Sequence, residues 1–322
     1  MENNYRIKTA VPVKLIFNPG SGKGSDNNEP PPQRLLDIVQ EMQHWNLIPE
    51  VFIIEPDCDL EGSIQDALKR GIELFVVCGG DGTISPTARI LNGTKGVLGI
   101  IPQGTQNNIA LSLEIPTDIP DAIALLRTGT TMQVDMGQVT FGETTQPFME
   151  VCSVGLVSAL FPSGDDIQHG EIGQIGNFID TLVSTPPADI HLKMSDGQEV
   201  QNTGYVVLVS NMPYLGLHYK LGPRASYKDG LLDVLYFADM NKLDLLGYVL
   251  FGPGENQPED SRIQHYHVSE ITITTQPAMP VMIDGIPLGE GNVHIQVQPG
   301  VLNMIVPSHI SKVKPEKTDT TE

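Results

Sequence analysis

The sequence predicts two domains of different class: an α/β domain with a parallel sheet, followed by an all-β sandwich. The chain has 322 residues, which is more than a single hydrophobic core usually serves. Its first part alternates short apolar runs with helical patterns, which predicts a parallel sheet covered by helices. Strand-like runs dominate the remainder. We therefore predict domains at 11–130 and 131–307, followed by a disordered tail at 308–322.

The α/β prediction depends on apolar runs that alternate with helical patterns. The predicted strands are Val13–Phe17, Val51–Glu55, Leu74–Cys78 and Val97–Ile101. The predicted helices are Gln33–Trp45, Leu60–Lys69, Pro86–Leu91, Asn107–Leu113 and Ile119–Arg127. Ligands of such folds bind at the carboxyl ends of the strands. The loops that follow the strands are therefore the candidate sites.

The sandwich prediction depends on a long series of strand-like runs. These are Gln133–Phe141, Ile190–Met194, Tyr205–Val209, Leu231–Phe237, Glu270–Thr275, Val281–Ile283, Val293–Val297 and Val301–Val306. The Ser195-Asp196-Gly197 turn is typical of a hairpin tip. Antiparallel strands joined by tight turns are therefore expected in this half.

Composition limits the classes of partner. A net charge of −20 argues against nucleic acid, because phosphate backbones bind clustered cations. The N-terminus has no apolar stretch resembling a signal sequence, and the longest apolar runs are too short to span a bilayer. Three cysteines without a CxxC pair fit a reducing compartment. We therefore expect a cytoplasmic protein.

The first glycine-rich loop follows the first predicted strand. It consists of Asn18, Pro19, Gly20, Ser21 and Gly22. Its glycines allow backbone N–H groups to approach a phosphate closely. It lacks the spacing of a P-loop or a dinucleotide fingerprint. An ordinary strand-to-helix turn therefore explains this loop about as well as a site does.

The second loop carries a sharper signal. It consists of Gly79, Gly80, Asp81, Gly82 and Thr83, directly after an apolar strand. Three glycines around one carboxylate present a bare backbone surface with a single acid, which suits nucleotide phosphates and a divalent cation. The structural alternative, a tight turn with an incidental Asp, does not require two adjacent glycines before the acid.

The third loop, from Pro102 to Asn108, follows the next strand and opens a helix. Thr105 and the helix N–H groups are predicted at the same sheet edge as the second loop. A helix cap formed by Thr105 or Asn107 is the structural alternative. Two such loops on neighbouring strands favour a shared site.

The three loops, in this order and spacing, resemble the nucleotide-site motifs of the diacylglycerol kinase catalytic-domain family, in particular its bacterial YegS-like lipid kinases. The segments KDGLLDV, at 228–234, and IDGIPL, at 283–288, resemble two further motifs of that family. GGDGT alone also occurs in NAD kinases. The resemblance implies an NAD-kinase-like α/β domain, and a sandwich domain that bears the catalytic Asp and the lipid site.

The resemblance implies an ATP-dependent kinase of a lipid hydroxyl, such as that of diacylglycerol. All residues of the first two loops, together with Thr105, would bind the nucleotide, and Asp81 would hold catalytic Mg²⁺ through water. Ser226, Asp229 and Leu231 would bind a structural Mg²⁺, the first and last through backbone carbonyls. Asp284 would be the general base. The implied partners are ATP and a lipid at a membrane surface that the protein visits transiently; a homodimer is left open.

Three positions depart from the family pattern, since Pro86, Asn108 and Ile286 stand where relatives carry acids. Ser85 and Pro86 still predict a helix start, as a cap followed by proline. Ile286 is interpreted either as a lost catalytic carboxylate or as a packed apolar residue in a site adapted to another acceptor. Two further functions therefore stay open: a kinase of a soluble acceptor such as NAD, and a silent nucleotide- or lipid-binding protein.

Overall fold

The computed structural model of this chain describes residues 9–22, 30–156, 186–215, 219–221, 225–238, 240–242, 244–245 and 262–310. These residues form two compact units. The first contains the chain up to Gln133 and again from Leu302, and the second is Val134–Val301. The last strand thus returns to the first unit, whereas the sequence-based boundary assigned 131–307 to the second.

The first unit contains a parallel sheet in the order β2-β1-β3-β4. Its strands are β1 (Val11–Phe17), β2 (Leu47–Ile53), β3 (Leu74–Gly79) and β4 (Val97–Pro102). Its helices are α1 (Pro31–His44), α2 (Leu60–Lys69), α3 (Asp81–Leu91), α4 (Asn108–Ser112) and α5 (Ile119–Thr128). The α/β prediction is confirmed, and α2 has the predicted bounds.

The core of the first unit explains why the strands are continuous apolar runs. Every residue of β3 is buried, as expected for a parallel strand covered on both faces. On one face, α1 and α5 bury Ile38, Met42 and Ile123 against side chains of the sheet. The sheet is therefore a fixed platform whose strand ends can position loops.

Helix α3 differs from its prediction. It begins at Asp81, directly after Gly80, and Pro86 lies inside it. Ser85 is buried and caps nothing; its hydroxyl has no hydrogen-bond partner among the described residues. The prediction of a start at Ser85-Pro86 was wrong. The helix starts earlier, after Gly80, and keeps Pro86 in its interior although proline lacks the N–H group that would bond to the Gly82 carbonyl.

The second unit is built from antiparallel strands, which confirms the sandwich prediction. The strands are β5 (Thr130–Phe141), β6 (Thr144–Phe148), β7 (Val151–Gly155), β8 (Ala188–Met194), β9 (Glu199–Ser210), β10 (Tyr214–Leu215), β11 (Tyr219–Lys220), β12 (Leu232–Ala238), β13 (Ile263–Val268), β14 (Glu270–Gln276), β15 (Pro280–Ile283), β16 (Ile286–Glu290) and β17 (Val293–Val306). Strands β5 and β17 cross the boundary between the units.

Strand β9 organises the second unit. Its first half pairs with β8 and its second half with β7, while β12 pairs along its other edge. The predicted hairpin tip joins β8 to β9, with Gly197 at φ +85°. Alternate residues of β12 point into two separate apolar clusters: Val234 and Tyr236 into one, Leu235 and Phe237 into the other.

The C-terminal predictions need two corrections. The two runs predicted at 293–297 and 301–306 form one strand, β17, whose end pairs in parallel with β4. The predicted tail begins too early, because Ser308 and His309 hydrogen-bond to Thr130 and Glu114. The rest of the tail, 311–322, lies outside the described residues. Within the described part of the chain, no helix is long and apolar enough to cross a membrane.

Candidate functional site

The three predicted loops lie at one edge of the parallel sheet. They follow β1, β3 and β4, and β3 lies between the other two. Because parallel strands end at the same edge, the loops are brought together without any long excursion of the chain. The sequence-based expectation of a shared location within this unit is met.

Asp81 connects the second loop to the third. Its two carboxylate oxygens accept the backbone N–H groups of Asn108 (3.0 Å) and Ile109 (3.1 Å). These are the first two residues of α4, whose N–H groups have no acceptor within the helix. The carboxylate therefore caps α4 from another loop, whereas Asn107, at the N-cap position, makes no capping hydrogen bond with its side chain as the structural alternative required of it.

Asn107 closes the third loop instead of capping the helix. Its side-chain amide exchanges two hydrogen bonds with the Gly104 backbone, each 2.8 Å long. Asn107 adopts a left-handed conformation, with φ 53°, which asparagine tolerates better than most residues. The side chain of Asn107 thus helps to fix the loop from within.

The glycines at 80 and 104 are required by contact between the two loops. A Cβ atom on Gly80 would lie 2.7 Å from the Gly104 Cα, and one on Gly104 would lie 2.5 Å from the Gly80 Cα. No real side chain fits at such distances, and the obstructing atoms are backbone. These two glycines therefore allow the loops to pack backbone against backbone.

The first loop is joined to the second through Asn18. Its side-chain amide donates to the Thr83 hydroxyl at 2.8 Å, and its carbonyl oxygen accepts the Gly20 N–H at 2.9 Å. The Ser21 N–H bonds to the Asn18 backbone carbonyl, which closes a turn. Gly22 follows with φ +77°, a left-handed conformation that favours glycine.

Gly20, Gly82 and Thr105 are the exposed residues of this loop cluster. A Cβ atom on Gly82 would meet no heavy atom within 4 Å. Gly82 lies in the first turn of α3, where glycine is less favourable than alanine. Nothing within the described unit therefore explains glycine at this position, in contrast to Gly80.

Arg34 is a candidate site residue that the motifs did not indicate. Its guanidinium donates to the Pro19 carbonyl at 3.3 Å and lies over the Phe17 ring, 5.6 Å from its centroid. Its charge also acts on Cys78 at the end of β3, although burial dominates and raises the pKa of that thiol to about 12. A cation therefore lies beside the first loop. The signal was weak because Arg34 belongs to no motif.

Asp284 lies in the second unit, at the tip of the β15–β16 hairpin. Asp284 and Gly285 have φ 45° and 80°, the positive pair of a type I′ turn. The carboxylate accepts three backbone N–H groups: Met149 to Oδ2 at 2.8 Å, and Glu150 and Val151 to Oδ1 at 2.9 and 3.0 Å. It therefore fixes the chain at the start of β7.

Ile286 follows on the same hairpin as the first residue of β16. It is 40% exposed. The interpretation of Ile286 as a packed apolar residue is therefore wrong. The position can accept a polar side chain without burying it.

The segment predicted to hold a structural cation forms a compact turn before β12. The Asp229 carboxylate accepts the Leu231 N–H at 3.1 Å, and the Ser226 hydroxyl accepts the Lys228 N–H at 3.3 Å. Partial burial raises the pKa of Asp229 to about 6, and the nearby Asp233 and Asp135 carboxylates add to this rise. A site that disfavours an isolated negative charge is suited to a cation.

Asp135, on β5, was missed by the sequence analysis. It is buried, and its two oxygens accept the N–H groups of Gly230 and Gly300, both at 2.8 Å. Burial raises its pKa even though these bonds oppose the shift. It thus brings a second carboxylate to the Asp229 turn from 95 residues away. No local pattern around Asp135 could have indicated this contact.

Comparisons with known proteins agree with the motifs. Residues 12–139 match the diacylglycerol kinase catalytic domain, and residues 176–306 match the YegS C-terminal NAD kinase beta sandwich-like domain. A diacylglycerol kinase from Bacillus subtilis (strain 168) is 24% identical over 282 residues, which cover 85% of this chain and 89% of that protein.

Two further comparisons extend over most of the chain. A "Probable lipid kinase YegS-like" from Klebsiella pneumoniae (strain 342) is 27% identical over 297 residues, or 91% of this chain and 95% of that protein. The solved structure of a diacylglycerol kinase from Bacillus anthracis str. Sterne shares the fold, with a TM-score of 0.69, 22% identity, and coverage of 94% and 99%. The chain therefore belongs to the family that joins a diacylglycerol kinase catalytic domain to a YegS-type C-terminal sandwich domain.

Proposed function

We propose that the chain is an ATP-dependent lipid kinase that transfers the γ-phosphoryl group of ATP to a hydroxyl group of diacylglycerol or a related lipid. The lipid hydroxyl oxygen would form a bond to the γ-phosphorus, the bond from phosphorus to the ADP oxygen would break, and the hydroxyl proton would pass to a base. Such a reaction needs placement and charge neutralisation more than covalent chemistry from the protein. The relatives named as diacylglycerol and lipid kinases support this substrate class.

The observation that carries the proposal is the loop cluster of the first unit. Gly80 and Gly104 have a steric reason to be glycine, whereas Gly82 has none within the unit. An exposed glycine in the first turn of a helix allows a phosphate to approach the backbone N–H groups. We therefore assign the nucleotide phosphates to the surface formed by the second loop, with the first loop and Thr105 beside it.

Arg34 supports an anionic ligand at this surface. The guanidinium is held against the Pro19 carbonyl, so it is fixed beside the first loop. Arginine binds phosphate oxygens with a planar set of donors. We propose that Arg34 neutralises part of the charge of the ATP phosphates, a role that the acidic composition of the chain makes more valuable.

Asp81 fits a magnesium site only in part. Each of its oxygens accepts one backbone N–H group, and a carboxylate oxygen can accept more than one donor or ligand. A water-mediated contact suits Mg²⁺, which retains several waters in most protein sites. When bound, the ion would neutralise charge on the phosphates; Asp81 would hold it while keeping α4 in place.

Asp284 is proposed as the base that accepts the hydroxyl proton. Of its three described hydrogen bonds, two end on Oδ1 and one on Oδ2. We assign the hydroxyl proton to this carboxylate. The backbone donors would fix the orientation of the carboxylate, which a general base requires.

A structural Mg²⁺ at the Asp229 turn is part of the same proposal. Ser226, Asp229 and Leu231 supply oxygen atoms, the ligand type that Mg²⁺ prefers, and Asp135 adds charge nearby. Magnesium without nucleotide should raise the melting temperature of the wild type, because it binds only the folded state. Asp229→Asn should remove that increment. An equal increment in both proteins would exclude this site.

The test of the function is transfer of label from [γ-³²P]ATP to defined acceptors. Vesicles containing diacylglycerol, monoacylglycerol or ceramide would be compared with NAD in the same buffer with Mg²⁺. Label in a lipid supports the proposal, and label in the nicotinamide nucleotide supports a soluble acceptor. ATP binding without transfer to any acceptor supports the silent alternative.

A matched pair of variants tests the nucleotide surface itself. Arg34→Gln should weaken ATP binding by roughly 10- to 100-fold, the range expected when a charged hydrogen-bond donor is lost. Arg127→Gln is the control, because Arg127 also donates from a helix of the same unit to a backbone carbonyl, that of Thr9. Equal loss in both variants would mean that the effect of Arg34 is structural.

A further inference from the structure

The second unit contains a cluster of one carboxylate and two imidazoles that the proposed kinase reaction does not use. Asp233 Oδ1 lies 3.0 Å from His265 Nε2 and 2.9 Å from His267 Nδ1. The two imidazole rings are 4.7 Å apart between centroids. One potential ligand atom from each residue lies within 4.8 Å of the others.

The strands bring these three residues together. Asp233, near the start of β12, is the register partner of His267 on β13, and His265 is the partner of Leu235. His265 and His267 are two residues apart on one strand, so their side chains point to the same face. That is also the face of Asp233, because Val234 and Tyr236 point into the opposite apolar cluster.

The carboxylate is the buried member of this cluster. The Asp233 side chain is only 4% exposed, and its ion-pair partners among the described residues are the two histidines. Each imidazole can hydrogen-bond to the carboxylate, or it can join the carboxylate in supplying a ligand atom to a cation. A buried carboxylate is costly unless it is paired or binds a metal. The histidine side chains are each 28% exposed, which gives an ion a route of entry.

We propose that Asp233, His265 and His267 form a binding site for a divalent transition-metal ion of the zinc class. Imidazole nitrogen and carboxylate oxygen are typical zinc ligands, whereas Mg²⁺ prefers oxygen atoms alone. Around a tetrahedral zinc ion, ligand atoms lie about 3.3 Å apart given the usual bond lengths. The two separations from Asp233, 2.9 and 3.0 Å, therefore need to open by only a few tenths of an ångström, and the third, between the imidazole nitrogens, lies within 4.8 Å.

The ion would fasten β13 to β12. Among the described strands, β13 pairs only with β12, so its outer edge lacks the support of a second neighbour. Three protein ligands leave a fourth position, on the exposed side of the histidines, for water or another ligand. The site is distinct in ligand chemistry from the oxygen ligands proposed for Mg²⁺ at the Asp229 turn.

Zinc alone is the probe. Titration of metal-free protein with Zn²⁺ should give one ion per chain, and Co²⁺ should give the visible absorption typical of tetrahedral coordination. At roughly 100-fold excess over its dissociation constant, Zn²⁺ should raise the melting temperature by about 5 °C or more. The His265→Gln, His267→Gln double variant should bind at least about 100-fold more weakly.

His191→Gln is the matched control, because His191 also lies on a strand of this unit beside an acid, Glu199, at 3.3 Å. It should bind Zn²⁺ as the wild type does. The double variant should still be stabilised by Mg²⁺, which separates this site from the Asp229 turn and reports that the variant is folded. Absence of Zn²⁺ binding to the wild type, or equal binding to the double variant, would overturn the proposal.

Discussion

The glycines of the first unit and two carboxylates of the second, one in a motif (Asp284) and one outside the motifs (Asp135), contribute to the structure in different ways. In the first unit, Gly80 and Gly104 are needed for loop contact, and Gly82 remains exposed without a steric reason of its own. In the second unit, Asp284 and Asp135 have both oxygens bound to backbone N–H groups. Motif residues can therefore hold the chain, the ligand, or both, and only contacts distinguish these roles.

The largest effect is expected at Asp284. Asp284→Ala leaves the N–H groups of Met149, Glu150 and Val151 without their acceptor and places alanine at a positive φ. We expect a loss of roughly 2–4 kcal/mol in the free energy of unfolding, together with loss of transfer. Chemical denaturation at pH 7 measures the first quantity.

Asp284→Asn separates the two roles of this residue. Asparagine tolerates the left-handed turn and keeps one acceptor oxygen, so it should cost about half as much stability. It cannot accept the hydroxyl proton, so transfer should still be lost. A folded Asp284→Asn protein with normal transfer would leave Asp284 a purely structural role.

The next largest effect on stability is expected at Gly80, and it contrasts with the effect expected at Gly82. Gly80→Ala should lose about 1–3 kcal/mol in the free energy of unfolding, because its Cβ would lie 2.7 Å from backbone. Gly82→Ala should be as stable as the wild type or gain up to about 1 kcal/mol, since alanine is the better helix residue. It should nevertheless bind ATP more weakly.

Denaturation curves and ATP titrations of both variants decide this comparison. The prediction for Gly82 fails if Gly82→Ala binds ATP with wild-type affinity. The prediction for Gly80 fails if its variant is as stable as the wild type, because the loops would then tolerate separation.

These two units also differ in how far the sequence predicts them. Helix α2 has its predicted bounds because its apolar period and flanking residues agree, with Asp59 as the cap. Helix α3 was misjudged because Ser85-Pro86 is a strong local start signal, whereas the true start depends on contacts of the second loop. Strand β17 was divided at Pro299-Gly300, although the N–H group of Gly300 bonds to Asp135 and the strand continues.

The candidate sites, too, could be predicted from the sequence only where their residues lie in local motifs. The three loops were predicted because each carries its residues in a short motif after a strand. Arg34 was missed because it belongs to no motif. Asp135 and the histidine pair on β13 were missed because their partners are distant in the sequence. Asp233 and His265, for example, are 32 residues apart. Periodicity and motifs report local geometry, whereas these contacts depend on the register of strands.

A smaller effect on stability is expected at Glu50, on the edge strand β2 of the parallel sheet. Glu50 bonds to Lys14 at 2.6 Å and to Arg70, and the Lys14 side chain is only 7% exposed. Hydrogen bonds from Arg70 and Lys14 lower the pKa of Glu50 to about 2. Since Glu50 itself is 41% exposed, Glu50→Gln should cost at most about 1 kcal/mol at pH 7.

The pH dependence of this cost follows from the direction of the shift. A lowered carboxyl pKa stabilises the fold above its ordinary value of 4.5, and this contribution is lost as the pH falls towards 2. The difference between wild type and Glu50→Gln should therefore shrink over that range. Glu73→Gln, at an exposed acid of the same unit, is the control. A difference that is independent of pH would contradict the ion-pair origin.

The smallest effect on stability is expected at Ile286, the position at which the resemblance to lipid kinases implies an acid. Ile286→Glu should change the free energy of unfolding by no more than about 0.5 kcal/mol, because the side chain is 40% exposed. The effect of Ile286→Glu on phosphoryl transfer is predicted independently of its effect on stability. If the missing acid assists proton removal, a second carboxylate two residues from Asp284 should increase turnover more than it changes ATP affinity, since the base acts on the acceptor hydroxyl.

The size of this increase in turnover shows whether isoleucine at position 286 lowers the catalytic rate of the protein. General-base assistance is typically worth about 10²–10⁴-fold, so a real deficit leaves a large margin. Ile286→Gln is the control, because it matches the shape of glutamate without its charge. An increase for glutamate but not glutamine would show that the wild type lacks a catalytic acid. Robust wild-type transfer that glutamate does not improve would mean that this sandwich unit positions Asp284 well enough alone, through the three backbone donors that also hold β7.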